Sequence, residues 1–456
     1  MRFGQRRNGL TYTGVTDIAR TLRDSSSRKT KPLPLPTSLQ PPSGLTIRDV
    51  VRLALVVLPA TMAALAYFDT RNSLLWAGAA ILTVAVLLAA RVRLILPDWA
   101  IVLALAYEIP SLANARYAAN GLPFAKVLCV AAVSYFLVRL SPRTTLRIAT
   151  VSLLTGAGGV ALAWFALAQA GEHIVALQTI GFSDVVAFRW RLVVPPPPWV
   201  AGEWFTLLLL TLPFAFAVVA FCWLRRRRSL SLIALAVPIP IIAALLLSCS
   251  RAVFWAVVVL LVTAVGLAAL YRVISVRAAL ASAAGALCML GLVLFVDNAV
   301  YLGIARAYTG SQTSQVRSTE GRLAIWKRSV EVFRLSPVWG VGSGNAPLFL
   351  TGSADPEETT GFASRTFSLP IQLLTEKGII GTGIYMALLV LAGRAAHRKL
   401  RSSKTTLEYK GMLCCVAAGV IAVLFRELTY SSLFEHAATA MLFAMCLALL
   451  VNEEPA

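Results

Sequence analysis

The chain has 456 residues, 58% of them hydrophobic and only 14% charged, and its mean hydropathy is +0.75. Soluble globular chains carry about 25% charged residues, so a cytosolic enzyme, a disordered protein and a disulfide scaffold are excluded, which leaves an integral membrane protein. Lys and Arg total 42 against 21 acids, a formal net charge of +21. These basic residues fall in short clusters between apolar runs, Arg225 to Arg228 among them. That pattern signals membrane topology and not a nucleic-acid face.

Residues 1–49 are polar, basic and rich in Pro and Ser, with the run Lys31-Pro32-Leu33-Pro34-Leu35-Pro36. No apolar stretch sits near the start, so this segment reads as a disordered cytoplasmic tail and not a cleavable signal peptide. Crossing the hydrocarbon core takes about 20 mostly apolar residues. By that criterion the sequence predicts an all-α integral membrane fold with about twelve transmembrane helices. Their limits are 50–68, 73–90, 96–112, 123–140, 146–170, 200–224, 229–247, 252–271, 278–296, 369–393, 411–426 and 431–451. Pro97, Asp98 and Glu108 interrupt the third, and the eleventh is short and ends at Arg426-Glu427. The organisation expected is a tail at 1–49, spans one to nine over 50–296, a large, partly helical outer loop over 297–368, and spans ten to twelve with the C-terminus over 369–456.

With the tail inside, Arg91 and Arg93, Arg139, Arg143 and Arg147, Arg225 to Arg228, Arg272 and Arg277, and the Arg394 to Lys410 cluster all fall in cytoplasmic loops. The short outer loops carry far fewer, which predicts that both termini are cytoplasmic. Two outer loops are long. One, 171–199, ends in Pro195 to Pro198, a stiff extended segment. The other, 297–368, is the expected functional centre, because long loops on a rigid scaffold commonly carry function.

Inside it, Leu323, Trp326, Val330 and Phe333 recur at helical spacing, with Ser318 or Thr319 as cap and Pro337 as stop. The polar side of that helix presents Arg322, Lys327, Arg328 and Arg334. Gly340-Val341-Gly342-Ser343-Gly344 follows; a dinucleotide-binding loop would need a strand before it and a helix after it, so a tight turn is expected instead. The seven cysteines lie in or beside apolar runs and read as packing residues. His173, His397 and His436 show no zinc spacing, so no metal and no cofactor are expected.

Arginines on the outer side are the main unexplained feature: Arg191, Arg251, Arg306, Arg317, Arg322, Arg328 and Arg365. The guanidinium is a planar fork matched to phosphate oxygens and keeps its charge, so the cluster points to a phosphate-bearing ligand, against the plainer reading of headgroup-paired arginines. Outer carboxylates that could serve as a general base, or as arginine partners, are Glu172, Asp184, Glu203, Asp297, Glu320 and Glu376.

The stretch Glu320-Gly321-Arg322-Leu323-Ala324-Ile325-Trp326, followed by Pro337-Val338-Trp339-Gly340-Val341-Gly342-Ser343-Gly344, resembles a signature of the O-antigen ligase and O-antigen polymerase superfamily. Arg191 before the Pro-rich run, Ser250-Arg251-Ala252, and Leu373-Leu374-Thr375-Glu376-Lys377-Gly378 resemble three further motifs of that superfamily, in the same order. The resemblance covers about residues 180–390. It implies a glycosyltransferase that uses undecaprenyl-diphosphate-linked oligosaccharide at the periplasmic face of the bacterial inner membrane, with a growing polysaccharide or lipid as acceptor. It implies no metal and no nucleotide, membrane lipids and other polysaccharide assembly proteins as further partners, and no nucleic acid.

On that resemblance the catalytic set is Arg191, Arg251, Arg322 and Glu376, and the substrate-binding set is Arg317, Arg328, Arg365, Trp326 and Glu320. Ligases of the superfamily carry a His-Asn pair where this chain has Phe367 and Ser368. That departure favours a repeat-unit polymerase over a ligase. A flippase or another twelve-span carrier is the alternative from a different class; carriers tend to show internal repeats and ionisable residues near the midplane, whereas here the ionisable residues gather at the outer boundary.

Overall fold

A computed structural model describes residues 94–140, 145–179, 201–248, 250–281, 284–285, 313–351, 366–434 and 436–452. Its elements are α1 (Leu96–Ala113), α2 (Ala118–Leu140), α3 (Thr145–Thr179), α4 (Ala201–Leu224), α5 (Arg228–Ala234), α6 (Pro238–Leu247), α7 (Arg251–Leu270), α8 (Thr313–Leu335), α9 (Ala346–Thr351), α10 (Leu369–Arg401), α11 (Leu407–Glu427) and α12 (Ala437–Val451). Among the described residues, eight helices are long and apolar enough to cross a membrane. The expected spans 50–68 and 73–90, and most of 278–296, lie outside the described residues.

Two of the three interruptions of the third span, Pro97 and Asp98, are its start. Pro97 occupies the first turn of α1, where a missing N–H costs nothing. Asp98 accepts from the Ile95 amide at 2.9 Å, receives the Tyr135 hydroxyl at 2.8 Å and faces Arg139 Nε at 3.5 Å, tying α1 to α2. The expected span at 229–247 is one of these eight, over Ser229–Leu246; within it α5 stops at Ala234 and α6 begins at Pro238, because proline is preorganised to open a new helical turn.

Helix α4 is apolar all round and correspondingly enclosed: Leu208, Leu209, Leu210, Leu212 and Phe214 have no exposure. It packs on α3 and α11; α11 also packs on α7, α12 on α2, and α10 on α1. Cys414, Cys415 and Cys446 are buried in this core, as expected of packing residues, whereas Cys129 is exposed.

The bundle has two unlike ends. At one, Arg139 and Asn452 meet at 3.4 Å, Lys399 reaches the Leu450 carbonyl and Arg225 lies 4.0 Å from Glu408. Arg398 and Arg401 close α10 at this same end, where Tyr271, the cap of α7, meets His397 at 2.7 Å. The other end holds the close of α1, the start of α2, the segment 336–345 and the start of α10, and there the candidate site is built.

Candidate functional site

Helix α10 is broken at Gly378, whose φ of 62° and ψ of −166° are not helical. The break removes the normal partners of four backbone groups, and an interior that excludes water demands replacements. The segment after α8 supplies them. The Val341 and Gly342 amides donate to the Thr375 and Glu376 carbonyls at 2.9 and 3.0 Å, while the Ile379 and Ile380 amides donate to the Pro337 and Val338 carbonyls at 2.9 and 3.3 Å. Tyr107 of α1 adds its hydroxyl to the Lys377 carbonyl at 2.7 Å.

So tight a splice needs glycine. Gly340, Gly342 and Gly344 have φ of 75°, 91° and 70°, and a Cβ on Gly340 would overlap the Glu376 peptide. The expectation of a tight turn at 340–344 therefore holds, and the backbone that it exposes is directed at α10.

Beneath the turn lies a buried charged cluster. Lys377, whose side chain has no exposure, places Nζ 2.5 Å from Glu108 of α1, donates to Ser343 Oγ, and sits 4.3 Å from the centroid of the Phe124 ring. Ser343 donates to Glu108 at 2.8 Å and meets Ser111 at 2.8 Å. Asn345 holds the Tyr117 amide at 3.1 Å, and Asn114 donates to the Gly340 carbonyl at 2.7 Å. Helix α1, the turn and the broken helix are thus one locked unit.

Helix α8 begins at Thr313, ahead of the expected cap at Ser318 or Thr319, and ends at Leu335, just before Pro337 as expected. Leu323 and Val330 are 51% and 46% exposed, whereas Ser329 and Val332 are 0% and 4% exposed, and Val332 packs with Val341 and Leu350. The helix lies between the bundle and its surroundings and has apolar residues on both sides, so the most apolar stripe need not be the inner one.

Arg322 is on the inner side. Its Cζ stands 5.4 Å from the centroid of the Phe367 ring, and its Nε is buried with no hydrogen-bond acceptor among the described residues. Burial lowers its guanidinium pKa from the ordinary value, though a guanidinium keeps its proton at any physiological pH. Trp326 donates its indole N–H to the Thr366 carbonyl at 2.9 Å. Arg328, which is exposed, donates to the Phe349 carbonyl at 3.2 Å.

Phe367 also meets Tyr430 edge to face at 6.0 Å, and the Tyr430 ring lies 4.8 Å from Cζ of Arg426. Arg426 is itself fixed by Glu427 and Ser432, each at 2.9 Å, and by Thr206. Glu427 accepts the Ser432 and Leu433 amides at 2.8 and 3.1 Å. Next to this cluster, an apolar cavity of about 270 Å³ opens between α1, α2, α10, α11 and α12; its polar lining residues are Tyr385 and Glu427.

Of the residues singled out in the sequence, the structure brings Arg322 and Trp326 to the start of α10 and sets Arg328 outside it. Glu376 is buried, and its carboxylate receives the Gly344 and Ala346 amides, so it braces the turn. Arg251 opens α7, and Arg317 and Glu320 lie on α8, but the side chains of these three lie outside the described residues, as do Arg191 and Arg365 altogether. Sequence reasoning did not select Lys377, Glu108, Arg426 or Tyr430. Glu108 carried a signal, since an ionisable residue inside an apolar span marks a special site.

Residues 237–386, from α6 through the break in α10, match the family model described as O-Antigen ligase. Over these residues the chain is similar to the O-antigen ligase family, which supports a membrane protein of the O-antigen ligase and polymerase superfamily. The matched segment contains Arg251, Arg322, the glycine turn and Lys377. Glu108 of α1, Arg426 of α11 and Tyr430 of the α11–α12 connection, which complete the site, lie outside it. No curated protein matches the chain.

Proposed function

We propose that the chain is a glycosyltransferase acting on undecaprenyl-diphosphate-linked saccharides at the periplasmic face of the bacterial inner membrane, and that it polymerises the repeat units of a capsule, an exopolysaccharide or an O-antigen. One observation carries this reading. Arg322 is a half-buried cation whose Nε has no acceptor among the described residues and whose Cζ faces the Phe367 ring, so its charge is available to an anionic ligand. The adjoining apolar cavity suits the first isoprene units of the lipid, with the diphosphate at its mouth.

In the transfer, an acceptor hydroxyl attacks the anomeric carbon. The carbon–oxygen bond to the diphosphate breaks, and the diphosphate leaves with the electron pair. Arg322, Arg251 and Arg191 offset the charge that develops on it, with Arg317 and Arg365 behind them. Because the Glu376 carboxylate is already engaged by two backbone amides, Glu320 is assigned to the hydroxyl proton.

The test is the chain-length distribution of surface polysaccharide in a deletion strain complemented at equal protein levels. Wild type is expected to restore long chains, and Arg251→Ala or Arg322→Ala to leave single repeats, a loss of roughly 100-fold or more in elongation. Wild-type elongation by both variants would end the reading. The family description favours a second outcome, transfer of finished chains to a lipid or protein acceptor, in which long chains would build up on the carrier of the deletion strain. Repeats trapped on the cytoplasmic side would indicate a transporter.

A further inference from the structure

Phe367 stands where no bulky side chain settles without cause. Its φ is 50°, in the left-handed region that disfavours large residues, and its ring is buried, at 6% exposure. Such strain persists only where the surroundings impose it, and it concentrates at functional positions. The surroundings are visible on both flanks. Trp326 holds the preceding carbonyl, that of Thr366, and Leu369 starts α10 two residues on.

The ring that results is one layer of a stack drawn from four places in the chain. Arg322 of α8 lies against Phe367 at 5.4 Å. Phe367 meets Tyr430 of the α11–α12 connection at 6.0 Å, and Tyr430 faces Arg426 of α11 at 4.8 Å. Arg426 is anchored by Glu427. Among the described residues no carboxylate pairs with Arg322.

A ring and a carboxylate do different things to a guanidinium. A carboxylate neutralises it and competes with any phosphate. An aromatic face orients the same cation while leaving its charge and its N–H edge available. We propose that Phe367 and Tyr430 are positioning residues, a two-ring bridge that fixes Arg322 relative to the anchored Arg426 and presents its N–H edge to the diphosphate of a lipid-linked donor. This inference rests on the proposed function, and its test separates the two.

The affinity of the full-length chain in detergent for inorganic pyrophosphate is measured by titration calorimetry. Wild type binds; Phe367→Leu weakens binding about fivefold, and Phe367→Tyr, which keeps the ring, stays within about twofold. In an Arg322→Gln background, Phe367→Leu makes no further difference. Tyr430→Leu leaves the strained backbone untouched and carries the same test where Phe367→Leu fails to fold. The bridge is overturned if wild type binds no pyrophosphate, if Phe367→Leu binds as wild type does, or if its loss is undiminished without Arg322. Intact coupling without chain elongation in cells supports the bridge and removes the transferase reading. Elongation at the wild-type rate by a well-folded Phe367→Leu removes the bridge alone.

Discussion

Lys377 and Glu108 are the clearest case of a residue pair whose environment dictates its behaviour. Both are enclosed, and the ammonium touches the carboxylate at 2.5 Å while Ser343 and the Phe124 ring fill the remaining directions. Removing one member leaves the other as an uncompensated buried charge, which costs about 3–5 kcal/mol, whereas replacing both can be nearly neutral. Lys377→Met is therefore expected to be far less stable than the Glu108→Gln/Lys377→Met double variant. Thermal unfolding in detergent checks the order, and a double variant no better than the single one would show that the pair is not a mutual neutralisation. The sequence hid this pair because its members are 269 positions apart. Lys377 sat inside a recognised motif, but the motif drew attention to Glu376, the neighbour whose carboxylate is occupied by backbone amides.

Among the elements, α8 separates what periodicity reveals from what it does not. Its end was legible, since Pro337 cannot follow within a helix, and the end falls at Leu335. Its inner face was not, because Leu323, Val330 and Val332 are all apolar and only the neighbours decide which of them is covered. Val332→Asp would bury a charge among Val341 and Leu350 and is expected to destabilise the protein by on the order of 3 kcal/mol or more, while Val330→Asp should stay within about 0.5 kcal/mol. Equal melting shifts for the two variants would contradict this orientation. The break in α10 was foreshadowed only by Gly378 itself. A lone glycine in an apolar run is tolerated in helices at small cost, and what makes this one a break is the segment 337–342, which offers the backbone partners that the helix gives up.

For the whole molecule, the coarse architecture was written in composition. Apolar runs gave the helices, and among the described residues Arg139, Arg225 and Lys399 lie at one end of the bundle, away from the glycine turn. The cavity was not legible, since it is made by five helices that the sequence separates widely. One feature reaches further than its local role. The glycine turn is bonded through its backbone to both sides of the break in α10, and through Ser343 to α1. It is a fixed part of the wall, so it cannot swing open and shut with each turnover. On the proposed function, a membrane-borne donor enters from the lipid side and not through a gate formed by this turn. Crosslinking the turn to α1 with Ser111→Cys and Ser343→Cys, whose hydroxyls now lie 2.8 Å apart, should leave the oxidised and reduced forms of that variant equally active. A loss on oxidation that reductant restores would mean that the turn moves after all, and that the door is where the wall was drawn.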